Sequence, residues 1–268
     1  MPLGAIYALI GKSLTHSASP QLFHSVVRPE AQPIPYDCFP LQNLEELQPL
    51  LRSQTQLLGL NVTMPYKQEI LKFVDKIDAA VAAIGAANTL LIDRKQGICA
   101  FNTDIIGVKA DLNALLEGTR PQRVLILGTG GASKAVSFTL QRDFAAPDIR
   151  FASRSPTSPD EMYYDAANER LSEFSLLINT TPLGMYPDIE AAPPLRYTAI
   201  TSKQFVWDLI YKPRETQFLM QCAAQGAQTR NGWGMLVAQA RASLEIWESP
   251  PAFSQLQSNP WQEVSLKL

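Results

Sequence analysis

The stretch Arg123-Val-Leu-Ile-Leu-Gly128-Thr-Gly130-Gly131-Ala132-Ser133 constrains the fold of this chain more than any other. Apolar residues from Val124 to Leu127 run straight into glycines, and after Ser133 the pattern turns helical, with Ala135, Val136, Phe138 and Leu140. A strand, a glycine turn and a helix start in that order form a dinucleotide-binding fingerprint. Glycine removes the Cβ that would keep a pyrophosphate away from the backbone. The unpaired N–H groups of the first helical turn then face the anion. Ser133 stands where the fingerprint has its third glycine, so a plain strand–turn–helix connection is the competing reading.

The rest of the chain alternates in the same way. Short apolar runs at 6–10, 36–39 and 57–62 read as strands, and 88–92 with 98–101 read as a hairpin across the turn-rich segment 93–97. Helical spacing is expected over 44–51, 67–74, 78–84 and 106–116. After the glycine turn, 149–152, 176–179, 205–209 and 227–230 supply further strands. A last helix over 233–247 carries Leu236, Ala240, Ser243, Leu244 and Trp247 on one stripe. Strands alternating with helices imply an α/β class with parallel, doubly wound sheets. The 268 residues suffice for one large domain or two. Because the nucleotide unit starts after residue 100, a separate domain should precede it.

Charge and cysteine usage exclude several classes of partner. A net charge of −2 without any charge run gives no electrostatic case for nucleic acid or an anionic membrane surface. No apolar run approaches the ~18–20 residues that span a bilayer, and the amino terminus reads as lacking a signal peptide. Cys38, Cys99 and Cys222 fit neither metal-ligand spacing nor a disulfide framework. They suggest a reducing cytoplasm, with each cysteine a small core residue and no metal site.

The choice of nucleotide turns on the end of the second strand of the glycine unit. A ribose 2′-OH is usually held there by Asp or Glu. Asp148 has roughly the right sequence distance, but it sits at the start of that strand, about 15 Å from the ribose end at ~3.3 Å per residue. The correct end carries Ser153-Arg154-Ser155. A guanidinium fork with flanking hydroxyls suits a 2′-phosphate, and therefore NADP over NAD.

Polar residues gather at strand ends in the first domain: Ser17-Ala18-Ser19-Pro20, Asn61-Val62-Thr63-Met64-Pro65-Tyr66-Lys67, Gly85-Ala86-Ala87-Asn88-Thr89 and Asn102-Thr103-Asp104. Ligands of open α/β sheets sit outside the carboxyl ends of strands, and this set suits a small polyhydroxylated molecule. Singly, each has a plainer explanation. Ser17 or Ser19 would cap a helix before Pro20, residues 102–104 would cap another, and Lys67 would be a surface lysine in a first helical turn.

The joint spacing of these motifs resembles the shikimate dehydrogenase family. To the motifs above the second half adds Ile178-Asn179-Thr180-Thr181-Pro182-Leu183-Gly184-Met185, Asp208-Leu209-Ile210-Tyr211-Lys212-Pro213 and Asn231-Gly232-Trp233-Gly234-Met235-Leu236-Val237-Ala238-Gln239. The resemblance implies an N-terminal α/β substrate domain over 1–105 and a Rossmann-type NADP-binding domain over 106–235. A C-terminal helical segment over 236–268 would pack on the substrate domain. It implies NADP-dependent, reversible reduction of 3-dehydroshikimate to shikimate in chorismate and aromatic amino-acid biosynthesis. By the same resemblance Lys67 and Asp104 are the catalytic pair, and Ser17 and Ser19 hold the substrate carboxylate. Thr63, Asn88, Asp104, Tyr211 and Gln239 also contact substrate. Gly128, Gly130, Gly131, Ala132 and Ser133 line the pyrophosphate, and Ser153, Arg154 and Ser155 the 2′-phosphate. Asn179, Thr180, Gly232 and Met235 lie towards the nicotinamide. The family usually has Asn-Arg-Thr in place of Ser153-Arg154-Ser155, and often a histidine at the place of Phe23. His24 is therefore given a helix-surface position and His16 a structural one. The alternatives are an NAD-preferring quinate/shikimate dehydrogenase and a non-catalytic ligand-sensing module of the same fold. A homodimer is compatible with this sequence, which does not fix the oligomeric state.

Overall fold

A computed structural model describes residues 6–15, 17–27, 34–266 and 268. The chain divides into two compact units, residues 1–104 with 237–268, and residues 105–236. The first begins with strand β1 (Ile6–Gly11), helix α1 (Ser19–Ser25), β2 (Tyr36–Pro40), α2 (Leu47–Ser53) and β3 (Leu57–Val62). It continues with β4 (Lys76–Ile77), α3 (Ala79–Ile84), β5 (Thr89–Asp93) and β6 (Gly97–Phe101). The second unit holds α4 (Asp104–Leu116, from its second residue), β7 (Arg123–Leu127), α5 (Gly131–Phe144), β8 (Asp148–Ser153), β9 (Glu161–Tyr163) and α6 (Tyr164–Glu169). Then come β10 (Leu176–Asn179), β11 (Phe205–Asp208), α7 (Gln217–Ala224) and β12 (Gln228–Arg230). The division of the chain falls inside α8 (Trp233–Glu248), and β13 (Gln257–Ser258) closes the first sheet.

The second unit's sheet has the order β12-β11-β10-β7-β8-β9 and is parallel throughout. Val124 to Leu127 in β7 and Leu176 to Ile178 in β10 have no exposed surface. Apolar clusters cover both faces, which is why these strands read as continuous apolar runs rather than alternating ones. The chain leaves β7 towards β8 and β9, then crosses to β10 on the other side. That makes the β7/β10 boundary the topological switch point, where nucleotides bind.

The first sheet corrects the expectation of parallel sheets. Its order is β13-β4-β6-β5-β3-β1-β2, and β5 runs against both β3 and β6, as β13 does against β4. The cause is the 93–97 turn, too short for the crossover that a parallel neighbour needs. This reversal carries the amino end of β5 to the edge where β1, β3 and β6 have their carboxyl ends. Asn88, just before β5, therefore joins Thr63 and Asp104 there. Trp247 on α8 lies over Gly59 of β3, where a Cβ would come within 2.3 Å of the indole. The indole stacks on Tyr7 at 4.5 Å and donates to the Leu90 carbonyl at 2.9 Å.

Other readings change in detail. Residues 67–74 are turns followed by a 3₁₀ segment, Glu69–Phe73, not an α-helix. Buried residues at 70, 71, 73 and 74 repeat every third position, which suits the tighter helix. Lys67 thus lies outside a helix. Neither serine caps α1: Ala18 holds that place, and the Ser17 hydroxyl accepts from the Ser19 N–H instead. Cys99 and Cys222 are buried, with thiols pushed up to about 12 by burial, whereas Cys38 is only half-buried. His24 is exposed on α1, and His16 lies outside the described residues. No helix among the described residues is long and apolar enough to cross a membrane.

Candidate active site

In the first unit Lys67 Nζ donates to Asp104 Oδ2 at 2.7 Å. The lysine side chain is 22% exposed and the carboxylate 9%. Asn88 Nδ2 donates to the other carboxylate oxygen at 2.9 Å. The orientation of that amide is not arbitrary. The Thr103 backbone N–H, which can only donate, points at Asn88 Oδ1 at 2.7 Å. The NH₂ end of Asn88 therefore faces Asp104, and Asp104 accepts at both oxygens. The loop that carries Lys67 is fixed by its own carbonyl, which accepts from the Ala87 N–H at 2.7 Å.

Behind this pair lies a buried polar layer. Tyr36 donates to Asn61 Oδ1 at 2.8 Å, and Asn61 Nδ2 reaches Thr89 Oγ1 at 3.1 Å and Ser243 Oγ at 2.9 Å. Thr89 Oγ1 donates to Asn88 Oδ1 at 3.1 Å. Burial pushes the Tyr36 phenol well up from its ordinary value, which keeps it a donor, while a hydrogen bond from the Ser19 side works the other way. Ser17, Ser19, Thr63 and Gln239 are half-buried, and Thr103 Oγ1 reaches Gln239 Oε1 at 3.5 Å. Among the described residues no three His, Cys, Asp or Glu side chains group as metal ligands.

In the second unit the candidate cofactor residues stand at or after the carboxyl ends of β7, β8, β10 and β12, and the substrate candidate Tyr211 after that of β11. Gly128 has φ +98 and lies against Thr180 and Thr181, so only glycine suits it. Gly130 and Gly131 are different. A Cβ at either would meet nothing within 4 Å, so packing does not require them to be glycines. The first turn of α5 has no side-chain cap and no acidic residue. An open, uncapped first turn of this kind leaves backbone N–H groups that an anion can approach. Ser133 is buried, and its hydroxyl donates to the Gly130 carbonyl at 2.6 Å, so the loop uses the side chain and only the backbone faces outward.

Arg154 is exposed, and Ser155 N donates to Ser153 Oγ at 3.2 Å. Asp148, at the opposite end of β8, pairs with Arg123 and Arg150. Asn179 is fully buried. Its Nδ2 donates to Asp208 Oδ1 at 3.0 Å and its Oδ1 accepts from the Thr181 N–H at 3.0 Å. Thr180 donates to the Leu127 carbonyl at 2.7 Å. Gly232 lies so close to Leu209 that a Cβ would be 2.0 Å from its carbonyl oxygen. The Met235 N–H donates to Asp111 Oδ2 at 2.7 Å, and Tyr211 is half-buried with its ring edge-on to Trp233.

Residues 9–90 match the model of the shikimate dehydrogenase substrate binding domain. The chain is 36% identical to the shikimate dehydrogenase (NADP(+)) of Methanococcus maripaludis, over 90% of this chain and 91% of that one. The chain belongs to the shikimate dehydrogenase family. A chorismate mutase/shikimate 5-dehydrogenase fusion protein from Clostridium acetobutylicum has the same fold, with TM-score 0.80 and 36% identity over 91% of this chain and 90% of that one. A family member from Thermus thermophilus, solved with NADP(H) and shikimate, gives TM-score 0.76 and 27% identity over 97% of each chain.

Thr89, Thr103 and Asp208 stand within the quoted motifs without a ligand role, and Tyr36, Asp111 and Ser243 lie outside those motifs. One sequence signal was present for Ser243. It stands four residues after Gln239, on the same helical stripe, as a hydroxyl among apolar neighbours.

Proposed function

We propose that the chain catalyses the reversible NADPH-dependent reduction of 3-dehydroshikimate to shikimate, a step of chorismate and aromatic amino-acid biosynthesis. The observation that carries this reading is the Lys67–Asp104 pair at 2.7 Å with Asn88 on the second carboxylate oxygen. Bound NADPH supplies the hydride. A ketone oxygen that gains charge in such a reduction needs a positioned proton donor. Lys67 carries three N–H groups, one of them directed to Asp104. A second gives its proton to the oxygen in the reduction and takes it back in the oxidation. Asp104 accepts at both oxygens, so its work is to hold the ammonium rather than to donate.

Ser17 and Ser19 hold the substrate carboxylate in this reading, and Thr63, Asn88, Tyr211 and Gln239 meet the rest of the substrate. Gly128, Gly130, Gly131, Ala132 and Ser133 present backbone to the pyrophosphate. Arg154, with Ser153 and Ser155, reads the 2′-phosphate. Asn179 and Thr180 shape the loop on the nicotinamide side together with Gly232 and Met235. Residues 1–105 and 236–268 serve substrate, and 106–235, Tyr211 apart, serve cofactor. The three free cysteines accord with a reducing cytoplasm. A homodimer accords with this reading. The test is shikimate oxidation by the purified chain, followed as NADPH formation. Lack of turnover would sink the reading.

A further inference from the structure

Ser243 has no exposed surface, yet its hydroxyl lies among several polar partners behind the Lys67–Asp104 pair. Ser243 Oγ lies 2.9 Å from Asn61 Nδ2, 2.9 Å from Thr89 Oγ1, 3.2 Å from Thr103 Oγ1 and 3.0 Å from the Gln239 carbonyl. A hydroxyl has one proton and two lone pairs. Asn61 Nδ2 can only donate and the Gln239 carbonyl can only accept. The Ser243 proton therefore goes to Gln239, and its lone pairs receive Asn61 and one threonine hydroxyl.

The same threonines fix the reactive side of the site. Thr89 donates to Asn88 Oδ1 at 3.1 Å, which leaves the Thr103 proton for Ser243, and Asn88 Nδ2 bonds Asp104. Thr103 also reaches Gln239 Oε1. One hydroxyl on α8 thus ties β3, β5 and the 102–104 loop to each other and to the helix turn that bears Gln239. We propose that Ser243 is a positioning residue for the substrate, acting through Thr89 and Thr103 on the side chains of Asn88 and Gln239. The proposal rests on the functional reading above and adds to it a residue that touches neither substrate nor cofactor.

Ser243→Ala removes this hydroxyl and leaves a good helix former in α8. Losing one neutral hydrogen bond corresponds to about a three- to tenfold change. KM for shikimate should rise by that factor, while KM for NADP stays within about twofold, because none of these bonds involves residues 105–236. In an Asn88→Ala background the same substitution should raise that KM by a smaller factor, because only its action on Gln239 remains. Four results overturn the proposal: an unchanged KM for shikimate with active wild type, an equal shift in both KM values, full additivity with Asn88→Ala, or a lowered Tm with both KM values unchanged. If the wild type itself fails to oxidise shikimate, the functional reading fails separately. The positioning claim is then read from the side-chain NH₂ resonances of Asn88 in ¹⁵N spectra. They should move in Ser243→Ala, and unmoved resonances overturn it.

Discussion

The two units are equipped to recognise a ligand by opposite means. In residues 1–104 with 237–268 the site is a set of side chains whose hydrogen bonds are already made: Lys67 on Asp104, Asn88 on Asp104, Thr103 on Asn88. In residues 105–236 the decisive feature is side chains that are missing, at Gly130 and Gly131, over a helix start with no cap. A small ligand with several hydroxyls demands directional partners fixed before it arrives. A pyrophosphate demands close approach to backbone N–H groups. Substitutions should consequently fail in different ways in the two units.

The largest effect belongs to the prepared side chains. Lys67→Ala should lower kcat by about 10²–10⁴, the usual loss on removing a positioned acid, and change shikimate affinity far less. A kcat near that of the wild type would remove Lys67 from the chemistry.

The open glycines allow a sharper separation of folding from function. Gly130 has φ −79 and ψ −172 and is the N-cap of α5. Aspartate is a favoured N-cap residue, so Gly130→Asp should keep or raise Tm. The same carboxylate would face the pyrophosphate, and like charges brought together cost several kcal/mol. KM for NADP should rise by about a hundredfold. A variant that is stabilised and still binds NADP normally would break the comparison.

How far this was legible in the sequence follows the same division. The glycine turn, Lys67, Asn88 and Asp104 stand in short motifs, where chemistry and spacing can be read together. The antiparallel β5 followed from its short hairpin turn, although alternation of strands and helices suggested parallel sheets. Ser243 and Asn61 are 182 residues apart, and no local pattern announces a hydrogen bond over that distance. Strands β4, β9 and β13 have two or three residues each, too few to carry a period. Asn179 was legible as a motif residue. That its amide is wholly engaged with Asp208 and Thr181 needed coordinates.

Arg154→Ala probes the one charged side chain assigned to the cofactor. KM for NADP should rise roughly tenfold to over a hundredfold, as for loss of a contact worth about 1.5–3 kcal/mol. KM for NAD should hardly change. Equal shifts for both would show that Arg154 does not read the 2′-phosphate.

A stability effect comes from Asp208. Burial pushes its carboxyl up to about 6, although Thr216, the Ile210 N–H and Asn179 donate to it. An unfolded aspartate titrates near 3.9. Between these values the folded chain keeps a proton that the unfolded chain has released, so this group's stabilising contribution falls as pH rises from about 4 to about 6. The loss is on the order of 3 kcal/mol. Asp208→Asn lacks the titration, and its Tm relative to wild type should climb across that window. A difference that stays flat with pH would contradict the account.

The central claim is that a substrate site of prepared side chains and a cofactor site of bare backbone serve one NADP-dependent reaction on shikimate. It is tested most directly by steady-state oxidation of shikimate by the purified chain, with NADP and with NAD at matched concentrations. The account predicts turnover with NADP at a kcat/KM well above that with NAD. No turnover with either cofactor, or a preference for NAD, would contradict it.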